Sequence, residues 1–101
     1  MTNEEINEAI YMSLGYTISD DATVGKYWRS THGGTAPPPP DYCNDFNAVI
    51  AAERAVWAKD WNLRDHYEPT LFKLFGVRLL DADPKERAEA LLETIKRFGT
   101  K

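Results

Sequence analysis

The residues best suited to metal binding or nucleophilic catalysis are few in this sequence and lie far apart. His32 and His66 are widely separated, and Cys43 is the one cysteine. Zinc sites usually draw on cysteine and histidine pairs at close spacing, which this chain lacks. The acidic pair Asp20-Asp21 has no alternating oxygen ligands around it, as a calcium loop would require. The sequence therefore predicts no metal site.

Cys43 is the one candidate nucleophile, because a cysteine with a distant histidine is the minimal pattern of a cysteine enzyme. A position in the first turn of a helix would stabilise its thiolate, whereas burial would leave it inert. His32-Gly33-Gly34 is weakly similar to an oxyanion loop, but no Gly-x-Ser-x-Gly motif accompanies it. No glycine-rich loop leads into a lysine-capped helix either. We therefore predict that the protein is not an enzyme and uses no cofactor.

A cluster of short polar side chains is the most distinctive local feature. It consists of Asp41, Asn44, Asp45 and Asn47, interleaved with Tyr42 and Phe46. Aspartate and asparagine concentrate at helix starts because they satisfy free backbone amides, so capping is one interpretation. Capping explains Asn47 less well. A polar binding surface is the other interpretation.

The composition indicates a small globular domain rather than a disordered or fibrous chain. The 101 residues are 43% hydrophobic and 28% charged, with a net charge of −4. The negative charge argues against binding to duplex nucleic acid. A single cysteine excludes a disulfide framework, and no apolar run is long enough for a transmembrane helix. The acidic N-terminus is unlike a signal peptide, so we expect a cytoplasmic protein without a membrane partner.

The first third of the chain predicts a helix followed by a hairpin. Thr2 and Glu5 have the spacing of a capping box, and apolar residues then recur at helical spacing until Gly15. Two short strands are predicted within residues 16–36, with a turn at Asp20-Asp21 and a loop over residues 31–35.

Four prolines, Pro37 to Pro40, separate this region from three predicted helices. They favour a stiff connector, with a ligand for an aromatic groove as the alternative. We expect the second helix to begin near Asp41, as its cap, and to break between Asp60 and Asn62. Glu53 lies on its apolar face, where a carboxylate needs a partner. Arg87 of the last helix is the expected partner.

The remaining sequence predicts two helices joined by a short strand. Leu63, Tyr67, Leu71 and Phe75 are spaced by four, which indicates a helix that ends at Gly76. Pro69 makes it either one kinked helix or two pieces. Val77 to Leu80 is predicted as a brief strand. A capping box of Asp83 and Glu86, with Pro84 between them, begins the last helix, which Gly99 ends.

These elements predict a single domain over residues 1–101 of the α+β class. Three to four helices would pack on a small antiparallel sheet, which the scarcity of strand-like sequence suggests is reduced. No internal repeat is present.

The polar cluster also carries a resemblance to a known family. The segment Pro40-Asp41-Tyr42-Cys43-Asn44-Asp45-Phe46-Asn47-Ala48, followed by Ala52-Glu53, resembles the central motif of the phage ABA sandwich domain family. Residues 86–95 resemble the C-terminal motif of that family. Residues 3–16 also fit, and Trp28 matches a tryptophan of the family. The resemblance implies a layered α/β sandwich encoded by a tailed phage or prophage. It implies no activity, and the region between Trp57 and Asp83 departs from it.

Three functions follow as hypotheses from this resemblance and from the lack of catalytic residues. The first is a phage accessory protein that inhibits a bacterial anti-phage defence complex by stoichiometric protein contact. The second is a sponge that sequesters a nucleotide signal, for which Trp28, Tyr42, Trp57 and Arg87 could supply rings and charge, within one chain or across a homo-oligomer interface. The third is a small phage protein with no defence role. The residues expected to bind are Trp28, Tyr42, Asn44, Asp45, Asn47 and Arg87.

Overall fold

Four α-helices and a three-stranded antiparallel sheet form the protein, in a computed structural model that describes residues 1–99. The elements are, in chain order, α1 (Asn3–Ser13), β1 (Thr17–Asp21), β2 (Gly25–Arg29), β3 (Thr35–Ala36), α2 (Phe46–Lys59), α3 (Asn62–Phe75), a 3-10 turn (Leu79–Asp81) and α4 (Pro84–Phe98). The predicted α+β class is confirmed.

Both capping boxes that the sequence predicts are present. The Thr2 hydroxyl accepts a hydrogen bond from the Glu5 amide, and the Glu5 carboxylate accepts one from the Thr2 amide. Asp83 and Glu86 make the same pair of bonds at the start of α4. Each box satisfies two amides that have no partner within the helix.

The predicted hairpin is also present, but its turn is at residues 22–24, because Asp20 and Asp21 belong to β1 and pair with Lys26 and Gly25. In the antiparallel β1–β2 pair, Ile18 lies opposite Trp28. The Asp21 carboxylate accepts hydrogen bonds from the amides of Thr23 and Val24, which closes the turn. Thr35, predicted to lie in a loop, instead begins the short strand β3 and pairs with Arg29.

The helices pack mainly on one another, and the hairpin extends from them. Helix α4 contacts α1, α2 and α3, and its Ala88, Ala90 and Leu91 are fully buried. Residues of β1 are exposed on both faces, so helices do not cover this sheet from two sides as a layered sandwich requires. The molecule is accordingly elongated, with extents of 47 × 25 × 21 Å.

Aromatic rings connect the hairpin to the helices. Tyr11 of α1 stacks on Tyr16 with ring centroids 3.9 Å apart, and its ring meets the edge of Trp28 at 4.9 Å. The Tyr11 hydroxyl donates a hydrogen bond to the carbonyl oxygen of Pro37 at 2.8 Å. The proline run is therefore held against α1 at its first residue.

The start of α2 differs from the prediction. The helix begins at Phe46, and its cap is Asp45 rather than Asp41: the Asp45 carboxylate accepts hydrogen bonds from the amides of Asn47 and Ala48. Residues 41–45 form a turn before the helix, because the Asp41 carboxylate bonds to side chains instead of helical amides.

Two further predictions concern the region after α2. Of the two predicted alternatives, the structure has a single helix, α3, that contains Pro69. The proline ring is exposed and lies outside the core. It ends at Gly76, which has a φ of 68°. The predicted strand from Val77 to Leu80 is wrong: the chain forms a 3-10 turn there. Leu80 lies in this turn and is 97% exposed.

None of the helices in the part of the chain that the structure describes is both long and apolar enough to cross a membrane.

Replacing Asp45 tests where α2 begins. Asp45→Ala should lower the free energy of unfolding by about 1 kcal/mol, because two amides of the first turn lose their acceptor. Asp45→Asn is the matched control and should be close to wild type, since asparagine caps about as well. Urea titration gives both values. An Asp45→Ala protein as stable as wild type would contradict this assignment of the cap.

Candidate functional site

A buried ion pair joins α2 to α4 and includes a tyrosine of α3. Arg87 donates two hydrogen bonds to Glu53, from Nη2 to Oε1 at 2.7 Å and from Nε to Oε2 at 2.9 Å. The Tyr67 hydroxyl donates a further hydrogen bond to Glu53 Oε2. The predicted pairing of Glu53 with Arg87 is confirmed. The spacing by four predicts the helix that contains Tyr67, but it does not indicate where the Tyr67 hydroxyl points.

The electrostatics of this cluster favour one protonation state. Burial, together with the negative charge of Glu53, raises the pKa of the Tyr67 phenol, so it stays a neutral donor. The hydrogen bonds to Glu53 raise the pKa of the Arg87 guanidinium. The Glu53 carboxylate therefore accepts three hydrogen bonds from two groups that stay protonated.

The turn over residues 41–45, here called the anchored loop, is held by α1. The Asn7 amide group donates to Asp41 Oδ1 at 3.1 Å, and Asn7 Oδ1 accepts from the Cys43 amide at 3.2 Å. The Asn44 amide group donates to Asp41 Oδ2 at 2.9 Å. These hydrogen bonds, first from Asn44 and then from Asn7, hold the pKa of Asp41 below its usual value.

The loop points its apolar residues inward and its polar residues outward. Tyr42 is 3% exposed and Cys43 is 2% exposed, and both belong to the core. Asp41, Asn44 and Asp45 are exposed, and Asn47 is exposed in the first turn of α2. Burial raises the pKa of the Cys43 thiol, which disfavours the thiolate that a nucleophile needs.

The structure does not bring the predicted binding residues together. Tyr42 is a core residue, so it cannot present its ring to a ligand. Trp28 is half-buried and packs against Tyr11, at the junction with the hairpin. Asn44, Asp45 and Asn47 share the exposed side of the anchored loop and the helix start. Arg87 lines a groove whose lining does not include the anchored loop, although its guanidinium is 6.0 Å from the ring of Phe46, which lies between Asp45 and Asn47.

This groove, here called the tryptophan groove, lies between α2 and α3 and has a volume of about 1060 Å³. Trp57 and Trp61 line it, as do Arg54 and Arg64, and the Glu53–Arg87–Tyr67 cluster is part of its lining. Trp57 belonged to the predicted set. Trp61, Arg54 and Arg64 are not in it, and Trp61 lies within residues 60–62, which the sequence predicts only as a helix break. The spacing of Arg54 and Trp57 on one face of α2 is a signal for that side of the groove.

No group of three or more histidine, cysteine, aspartate or glutamate side chains that could hold a metal ion is found within residues 1–99. His66, one of the two histidines, stacks on Phe98 with ring centroids 3.9 Å apart. The side chains of both surfaces can take part in recognition by charge, hydrogen bonds and aromatic contact.

Removing Arg87 tests how much the fold depends on the buried pair. Arg87→Met should lower the free energy of unfolding by about 3 kcal/mol, because Glu53 would be left buried without a countercharge. Arg97→Met is the control: its pair with Glu93 is exposed and 3.9 Å long, so a loss below about 1 kcal/mol is expected. Equal denaturation midpoints for the two variants would rule out this role for Arg87.

Alkaline pH should destabilise the protein through its buried tyrosines. Burial raises the pKa of Tyr42 from its ordinary value of 10.0 to about 12. Above pH 10 the unfolded chain loses this proton while the folded chain keeps it, so stability falls as the pH rises toward 12. Unfolding by urea at several pH values should show this decline, and Tyr42→Phe should make it shallower. An unchanged slope in Tyr42→Phe would contradict the prediction.

Comparisons with known proteins give no family assignment for this geometry. Neither protein-family models, nor curated proteins, nor solved structures gave a match. A function must therefore be inferred from the residues of this chain.

Proposed function

We propose that the protein acts by stoichiometric binding to another protein, with the anchored loop at the centre of the contact surface. The observation that carries this proposal is that Asn7 of α1 holds the loop by hydrogen bonds while the polar side chains of the loop are exposed. A surface that is already ordered loses little conformational entropy on binding, which favours affinity.

The charge of this surface supports a basic partner. Asp41 and Asp45 are exposed carboxylates of the loop, and Glu4 and Glu8 are exposed on α1, whose Asn3 and Asn7 contact the loop. None of these four carboxylates forms an ion pair among the residues that the structure describes. Such a surface accelerates encounter with a positively charged partner.

An exposed aromatic residue adjoins the carboxylates. Phe46 is 46% exposed at the start of α2, with the Arg87 guanidinium 6.0 Å from its ring. Interfaces commonly combine a few such anchors with a polar rim. Phe46 would supply the apolar anchor and the loop the rim.

The proposed partner is a bacterial anti-phage defence complex that handles nucleic acid, which the protein would inhibit. The resemblance of residues 40–53 and 86–95 to a phage protein family supports this role, because phage proteins act inside a host with such complexes. The acidic surface supports it as well, since proteins that bind nucleic acid present basic surfaces.

The test combines phage plating with copurification. Expression of the protein in bacteria that carry a defence system should raise the plating efficiency of a sensitive phage, and a tagged copy should retain a protein of that system. The double variant Glu8→Lys/Asn47→Lys should lose both effects, because it places positive charge beside the anchored loop without touching the core.

Asp20→Lys is the matched control, since it reverses an exposed charge on the hairpin. It should behave as wild type. If the wild-type protein does not raise plating efficiency in any strain that carries a defence system, inhibition is refuted. Equal loss in both variants would refute the anchored loop as the contact surface.

A further inference from the structure

The tryptophan groove combines exposed aromatic area with free positive charge. Trp61 is 61% exposed, and the Arg64 guanidinium carbon lies 4.9 Å from its ring centroid. Arg54 and Arg64 are exposed, and neither forms an ion pair within residues 1–99. Indole faces bind planar rings, and unpaired guanidinium groups bind phosphate oxygens.

The inner part of the groove is fixed by buried contacts. Trp57 packs on Tyr67 with ring centroids 5.2 Å apart, and Tyr67 is bonded to Glu53, which Arg87 holds with two hydrogen bonds. The side chains at the bottom therefore need little reorganisation before a ligand binds. The volume of about 1060 Å³ is at the upper end of the range for small-molecule sites.

Besides Glu53, two further carboxylates line the groove, and they restrict the kind of ligand that it can bind. Asp65 and Glu68 of α3 would repel a simple polyanion, which would meet about as much negative as positive charge there. Carboxylates accept hydrogen bonds from sugar hydroxyls. A ligand with a ring, hydroxyl groups and one anionic end would contact the indole rings, the carboxylates and the guanidinium groups that line the groove.

We propose that the tryptophan groove binds a nucleoside phosphate. The base contacts the indole surface of Trp57 and Trp61, the phosphate bonds to Arg54 and Arg64, and the ribose hydroxyls donate to Asp65 or Glu68. This ligand is additional to the proposed protein partner, because none of residues 41–45 lines the groove.

Calorimetric titration of the purified full chain tests the proposal. The probes are the mono- and triphosphates of adenosine, guanosine, cytidine and uridine, with inorganic phosphate and adenosine as partial ligands. At least one nucleotide should bind with a stoichiometry of one, and both partial ligands should bind at least about tenfold more weakly. Higher salt should weaken nucleotide binding, because the guanidinium contacts are exposed.

Variants of exposed residues locate the site without risk to the fold. Trp61→Ala and Arg64→Gln should each weaken binding by about tenfold. Phe72→Ala and Arg78→Gln are matched controls, since both residues are exposed but do not line the groove, and they should bind as wild type.

Three results would overturn the proposal: no binding of any nucleotide, inorganic phosphate binding as tightly as the nucleotides, or equal losses in the groove variants and the controls. The Glu8→Lys/Asn47→Lys variant should retain full nucleotide affinity. Failure of the protein contact and failure of the nucleotide site are therefore separate outcomes.

Discussion

The position of Glu53 constrains the arrangement of the three C-terminal helices. A carboxylate on the buried face of α2 is costly unless it is paired and hydrogen-bonded, and its partners come from α4 and α3. Arg87 binds it through two parallel hydrogen bonds, a geometry that fixes both distance and orientation. Such a pair adds little net stability compared with apolar packing. In any other arrangement of these helices, however, Glu53 would be buried without its partner, which is costly. The inner wall of the tryptophan groove is a direct result of this arrangement.

The two candidate surfaces differ in how they are supported. The anchored loop is fixed by side-chain amides of α1, with Tyr42 and Cys43 as its buried attachments. The tryptophan groove is fixed by the packing of α2 and α3 around Tyr67. The anchored loop exposes Asp41, Asn44 and Asp45, whereas the groove is concave and is lined by Arg54 and Arg64, which form no ion pair within residues 1–99. The proposed basic protein and the proposed nucleoside phosphate would therefore bind at different surfaces.

Much of the fold could be predicted from sequence because it depends on local rules. Capping boxes, the glycine after α3 and the hairpin are determined by neighbouring residues, and all are present. The partner of Glu53 was predictable as well, since a buried carboxylate requires a cation. The residue that caps α2 could not be predicted, because Asp41 and Asp45 are equally suitable for that position. The contact of Asp41 with Asn7 decides between them. The groove was missed because it exists only once two helices face each other.

The hairpin has a consequence for the behaviour of the protein at high concentration. Strand β1 is one of the two outer strands of the sheet, so one row of its backbone groups has no neighbouring strand within residues 1–99. An open edge of this kind can pair with the edge of another molecule and begin aggregation. Asp20 and Asp21 carry two negative charges at one end of a strand of only five residues. These charges and the short length of the strand, rather than a covering helix, protect the edge.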